Sequence, residues 1–281
     1  MTRPAQATAV AAPSSQRAAA AAAVAAGTPE PGRLRLSGVS KVFGGAHPVR
    51  ALDGVDLDVR PGEFVAVVGG SGCGKSTMLS LAAGLEAPTS GTVTAGGGVA
   101  LMFQESTLLP WLTASRNVEL ALRLRGVSAA ERRTRARDLL AKVRLGEHAG
   151  KRPHQLSGGM KQRVALARVL AQEASIVLMD EPLAALDAMT RDQMHDLIEN
   201  VWLEAGFSVV FVTHNVREAV RLADRSVLMG SRPGRVIHEQ HNPLPRPRVM
   251  DSAPLAAMAS DLTRRLREEV ARNDEADYFD I

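Results

Sequence analysis

Aromatic side chains are scarce in this sequence. Phe, Tyr and Trp make up 3% of its 281 residues. An interior built on rings is therefore excluded, and any core must be aliphatic. The 45% apolar content is ample for that. Cysteine occurs once, as Cys73, so no disulfide can form within the chain, which suits a reducing compartment. No apolar stretch approaches the ~20 residues that a bilayer-spanning helix needs. Work at a membrane would require another chain to hold this one there.

A large excess of either charge is also lacking. There are 34 Lys and Arg against 30 Asp and Glu, for a formal net charge of +4. Nucleic-acid binders cluster their basic residues and set aromatics or a reader motif beside them. The densest basic run here, "ERRTRARDLLAKVR", reads as an ordinary amphipathic helix instead. Ser128 and Glu131 form a capping box at its start. Leu139, Leu140 and Val143 supply the buried stripe, and the arginines take the other face. No nucleic-acid partner is expected.

Residues 1–32 have almost no large apolar side chains. Ala, Pro, Ser and Gly dominate, and Arg17 interrupts the apolar core that a secretory signal would need. This segment reads as a disordered Ala/Pro-rich tail. Residues 33–245 read as one α/β domain. "RLRLSGVS", "LDGVDLDV" and "SGTVTAG" have the look of antiparallel sheet. "FVAVVG", "IVLMD" and "SVVFVTH" are near-continuous apolar runs, as buried parallel strands require. Between the first two of these lies a charged helical block at about 105–165, which reads as an inserted subdomain. The expected architecture is a mostly parallel sheet core flanked by helices, with an N-terminal antiparallel sheet. Residues 246–281 read as a C-terminal helix and acidic tail.

The strongest local pattern is "GGSGCGKST", at residues 69–77. It follows a buried strand and opens a helix. Glycines let the backbone N–H groups wrap a phosphate, Lys75 reaches the outer phosphate oxygens, and the Ser76 hydroxyl is placed for Mg²⁺. "IVLMDEP" supplies a carboxylate, Asp180, at the end of another strand, where ligands of open α/β sheets gather. Glu181 follows at once and suits the polarisation of a water. His214 ends a third strand on the same rim. Cys73, inside the loop and near Lys75, is expected to be a thiol that bound nucleotide protects. "LSGGMKQR" at 156–163 is a second anion cradle, again at a helix start.

Together these residues resemble the nucleotide-binding subunit of an ABC transporter, over about residues 34–240. Gly69, Gly70, Ser71, Gly72, Cys73, Gly74, Lys75, Ser76 and Thr77 match its Walker A loop. Ile176–Glu181 matches Walker B with the catalytic glutamate. "LSGGMKQR" resembles the signature, "AALD" ending at Asp187 the D-loop, and His214 the switch histidine. The resemblance further implies that Gln104 approaches the nucleotide and its metal, and that Phe43 stacks on adenine. Its cofactors would be ATP and Mg²⁺. It also explains two phosphate cradles in one chain. In this family two subunits pair head to tail, so Ser157, Gly158 and Gly159 would meet ATP held by the partner's Walker A. Gly70 stands where many relatives have proline, and Met160 and Lys161 replace the commoner glutamines. "LLPWLTASRNV" and "LPRPR" are similar to the nitrate, sulfonate and taurine importer ATPases, the aliphatic sulfonate type above all. That implies a homodimer at the cytoplasmic face of the bacterial inner membrane. Permease subunits and an extracytoplasmic substrate-binding protein would be its partners. Trp111 would then be either part of the helical block's own core or a docking side chain for the permease.

Overall fold

Strands of alternating polarity fold as one sheet, and uniformly apolar strands fold as another. In the computed structural model, which describes residues 29–279, β1 (Leu34–Phe43), β2 (Val49–Val59) and β4 (Ser90–Ala95) form an antiparallel sheet in the order β2-β1-β4. Along β2, Leu52, Val55, Leu57 and Val59 are buried while Asp56 faces outward. One face of this sheet is therefore core and the other is wet.

The second sheet has the order β5-β6-β7-β3-β8-β9. Its central strands are β3 (Phe64–Gly69), β6 (Ile176–Asp180), β7 (Ser208–Thr213) and β8 (Arg225–Gly230). Every residue of β3, β7 and β8 is buried. β5 (Val99–Met102) lies parallel on one edge, and β9 (Arg235–His241) closes the other edge antiparallel to β8. Successive side chains of a strand point to opposite faces. Val65 and Val67 therefore join Leu34, Leu52, Met78 and Leu79 in a core between the two sheets. Phe64, Ala66 and Val68 join the larger core on the opposite face. There the few rings meet, with Trp202 edge-on to Phe64 at 5.4 Å.

Seven α-helices, counted among the described residues, complete the fold: α1 (Lys75–Ala82), α2 (Ala114–Leu124), α3 (Ala129–Lys142), α4 (Gly158–Leu170), α5 (Ala188–Ala205), α6 (Val216–Leu222) and α7 (Ala253–Phe279). α2 and α3 form the helical block with the start of α4, through Val118, Leu122, Ala136 and Leu140. Thr113 caps α2 and Ser128 caps α3, each accepting a backbone N–H with its hydroxyl. The capping box expected at Ser128 and Glu131 is only half made. The Glu131 carboxylate turns to Arg135 at 3.1 Å, because an i,i+4 ion partner competes for it. None of the described helices is long and apolar enough to cross a membrane.

The proline-rich link after β9 is a strap held down by two arginines, Arg248 buried and Arg246 half-buried. Arg246 lies over the Trp202 ring, 4.5 Å from its centroid, and pairs with Glu199 at 2.6 Å and Asp224 at 2.7 Å. Arg248 donates to the Ala223 and Leu244 carbonyls. Burial, and then the neighbouring Arg246 charge, lower its guanidinium pKa to about 10. α7 then runs up beside β8. Leu255 and Leu262 anchor it fully buried. Further along, Val270 comes beside Gly70, where a Cβ built on the glycine would sit 3.8 Å from Val270 Cγ2.

Of the stretch read as a tail, residues 1–28 lie outside the described residues. Residues 29–32 are tied to the antiparallel sheet: Gly32 N donates to Gly96 O at 2.6 Å, and Glu30 O accepts from Arg33 N.

Candidate active site

Parallel pairing brings three strand ends to one rim. Val68 is in register with Thr213, Gly69 with Met229, and Asp180 with Val212. The loop after β3, the Asp180–Glu181 pair and His214 therefore open on the same side of the sheet.

The loop needs its glycines for two separate reasons. Gly72 and Gly74 hold φ of +77° and +89°, the left-handed region that favours glycine. A Cβ on Gly69 would come within 2.5 Å of Cys73 Sγ, and one on Gly74 within 2.6 Å of Leu52 Cδ2. α1 starts without a side-chain cap, which leaves first-turn N–H groups for an anion. Lys75 is mostly buried, and its Nζ donates to the Gly69 and Gly70 carbonyls at 2.9 and 2.8 Å. The ammonium is thus fixed inside the loop that it would serve. Ser71 and Thr77 lie in the same loop and helix start, with Ser71 exposed.

Asp180 faces Ser76. Burial pushes its carboxyl above the usual range. The Ser76 hydrogen bond opposes this, the Glu181 charge adds to it, and Lys75 pulls the other way. Two hard oxygen donors beside an ammonium and a helix start suit Mg²⁺ carried by a polyphosphate. Among the described residues no group of three or more His, Cys, Asp and Glu could hold a metal.

Glu181 has a φ of +44°, unusual for a residue with a side chain. Its N–H donates to Val212 O, and its Oε2 lies 2.9 Å from His214 Nδ1. The backbone twist therefore aims this carboxylate at the histidine. Phe43 ends β1 with its ring 41% exposed, and Lys41 Nζ lies 5.0 Å from the ring centroid. Gln104 has an exposed side chain. Its carbonyl is gripped by Gln162 Nε2 from α4, while Arg168 holds the Thr107 carbonyl at 2.7 Å.

Cys73 departs from expectation. Its side chain is 0% exposed and packs in the core between the two sheets, with Sγ 3.6 Å from Lys75 Nζ. The loop's tight turn sends this side chain inward, and spacing alone does not reveal that.

Ser157, Gly158, Gly159 and Asp187 gather in a second group, around Thr190. Ser157 caps α4 by accepting from Met160 N at 3.3 Å, beside Gly158 and Gly159 in the first turn. Gly159 is buried, and a Cβ there would come 2.3 Å from Thr190 Cγ2. Asp187 caps α5, accepting from Thr190 N at 3.0 Å, and the bonds to Thr190 hold its carboxyl below the usual range. Four residues that the sequence reading did not single out tie these parts together: Gln162, Arg168, Arg191 and Glu218. A charged or amide side chain on the buried face of an amphipathic helix is the signal that could have found them.

Residues 52–184 match the ABC transporter family. The chain is 48% identical to the aliphatic sulfonates import ATP-binding protein SsuB 1 of Mesorhizobium japonicum, over 82% of this chain and 87% of that protein. This chain belongs to the ABC transporter family. It is an ATP-binding subunit and an ATPase. Identity reaches 51% with the taurine import ATP-binding protein TauB of Chromobacterium violaceum, over 75% of this chain and 83% of that one. Among solved structures, the ATP-binding cassette MJ0796, in a dimeric post-hydrolysis state bound to ADP and Pi, matches with a TM-score of 0.67. The identity is 36%, over 74% of this chain and 98% of that one.

Proposed function

We propose that this ABC ATPase powers uptake of an organosulfonate, an aliphatic sulfonate or taurine, as a homodimer on the cytoplasmic face of the bacterial inner membrane. Membrane permease subunits would receive its motion, and an extracytoplasmic binding protein would deliver the substrate. One observation carries the dimeric reading: a single chain presents a full catalytic rim and, apart from it, a second glycine-rich helix start at Ser157–Gly159. Head-to-tail pairing gives that helix start a phosphate to bind. The relatives' names, import of aliphatic sulfonates and of taurine, support the substrate class.

In this reading Lys75 and the N–H groups of the loop hold the β- and γ-phosphates, and Phe43 offers the adenine its open ring face. Ser76 and Asp180 hold Mg²⁺, with Gln104 reaching its shell. Mg²⁺ supplies neutralisation of the charge on the transferring phosphoryl group. Glu181 accepts the proton of the attacking water, held in place by His214, which also donates toward the γ-phosphate. Asp187 fixes the D-loop by capping α5. Only the closed dimer makes the contacts from Ser157, Gly158 and Gly159, so ATP favours closure through them.

Glu181→Gln tests the chemistry. The variant should bind ATP as tightly as the parent, hydrolyse it roughly 10²–10⁴-fold more slowly, and accumulate as an ATP-bound dimer on size exclusion. Turnover at the parental rate would refute the base role. The substrate class is tested by deleting the gene. Growth on taurine or an alkanesulfonate as sulfur source should stop while growth on sulfate continues. Unimpaired growth on both sulfonates would refute it.

A further inference from the structure

His214 protrudes just beyond β7 with a side chain 62% exposed. Among the described residues its hydrogen-bond partner is Glu181, itself on a twisted turn. An exposed imidazole with one partner does not hold its own position. Its two neighbours in the chain, however, are both bonded to one carboxylate. Thr213 Oγ1 donates to Glu218 Oε2 at 2.7 Å, and Asn215 Nδ2 donates to Glu218 Oε1 at 3.2 Å. Thr213 Oγ1 also accepts from Asn215 N at 3.0 Å, which closes the bracket around residue 214. We propose that Glu218 is a positioning residue for His214, and that Arg191 couples it to the loop ending at Asp187.

The chemistry of the bracket explains why a carboxylate is buried there. Glu218 is only 4% exposed, and burying an acid is costly unless its oxygens are well used. Two donors converge on it, the Thr213 hydroxyl and the Asn215 amide, and the Arg191 guanidinium pairs with it, Nε 3.5 Å from Oε1. A carboxylate gives each donor its own oxygen and balances the guanidinium charge. Burial raises its carboxyl, while Thr213, Arg191, the His214 charge and Asn215 all oppose the rise. Arg191 carries the link onward. Its Nη2 donates to Leu186 O at 2.7 Å, within the segment that leads to the Asp187 cap and so to Thr190 beneath Gly159. One half-buried ion pair therefore spans from the catalytic rim of a chain to its signature group. A shift of the second group, made when it engages a partner's phosphate, reaches His214 through two side chains.

This inference rests on the proposed role of His214, and the test separates the two. ATP hydrolysis by the full-length chain is measured in single turnover for Glu218→Gln, Glu218→Ala, His214→Ala and both double variants. ATP affinity and melting temperature are measured beside it. Gln keeps the shape but replaces one acceptor with a donor. Glu218→Gln should therefore fold, bind ATP within about twofold of the parent, and lose roughly 10- to 100-fold in the hydrolysis rate, the scale of a small misplacement. In the His214→Ala background the same change should cost less than about twofold, because paired positions are non-additive. An equal loss in both backgrounds would show that Glu218 does not act through His214 and overturns the proposal. So does an unchanged rate in Glu218→Gln. If Glu218→Ala fails to fold, the Gln comparison decides alone. If His214→Ala itself hydrolyses ATP at the parental rate, the reading of the histidine fails, and this proposal with it.

Discussion

Replacing Gly159 by alanine places a methyl carbon 2.3 Å from Thr190 Cγ2. Thr190 cannot rotate that methyl away cheaply, because its hydroxyl and its N–H are both bonded to Asp187. α4 must then shift against α5. Overpacking of this kind costs about 1–3 kcal/mol. Alanine's helix preference over glycine returns up to ~1 kcal/mol. The net loss should be about 1–2 kcal/mol, which for a domain of this size is a fall of roughly 2–8 °C in melting temperature. Thr190→Ser deletes the clashing carbon but keeps the hydroxyl that bonds Asp187. The next atoms stand 3.7 and 3.9 Å from the new Cβ, ordinary contact. The double variant Gly159→Ala, Thr190→Ser should therefore melt at or above the parental temperature. Thermal unfolding measures this directly. A double variant as unstable as Gly159→Ala would refute the packing argument. ATPase rates then divide the roles of the glycine. If hydrolysis returns along with stability, the signature needs Gly159 for packing. If it stays low in a stable protein, the bare Cα also serves the partner's phosphate.

Trp111 is 67% exposed. Trp111→Ala should therefore leave melting temperature and basal ATPase unchanged but weaken co-purification with the permease, since exposed Trp is a common interface anchor; melting several degrees lower would contradict this. His195 is almost fully buried, and burial lowers its pKa from 6.5 to about 4. The unfolded chain then takes up the proton first, so stability should fall as pH drops from about 6.5 to about 4, by roughly 3 kcal/mol in all. Glu218, whose carboxyl is raised, works in the opposite sense, so the deciding comparison is with His195→Gln. That variant's urea midpoint should vary less over this range, and equal slopes would refute the assignment. Cys73 is sealed in the core. Maleimide should label it only on unfolding, with or without ATP, and fast labelling of the native protein would show that the thiol faces the loop.

The phosphate loop, the strand ends at Asp180 and His214 and the second helix start were legible because their chemistry demands given residue types at short spacing. β3 and β6 run over the same residues as the apolar runs that announced them. What stayed hidden depends on contacts between distant parts of the chain. Glu218 and Arg191 are 27 positions apart, and neither carries a local pattern that announces the other. The direction of Cys73 follows from how a tight turn meets Leu52 of another strand. Glu131 could be read as a cap until α3 formed and offered Arg135. Trp111 read equally well as core or surface, because an apolar loop residue has no periodicity to place it. Arg246 and Arg248 carry no local pattern either, yet Arg246 is half-buried against Trp202 and Asp224, and Arg248 is buried against backbone carbonyls.

The course of α7 has a practical side. The helix begins among the deep apolar side chains at Leu255 and climbs until Val270 comes beside the phosphate loop at Gly70. Arg272, one half-turn later, is open to solvent. A polarity-sensitive dye attached there would stand on the solvent side of the helix that runs beside the phosphate loop. It would report binding and release optically, with every catalytic side chain left in place.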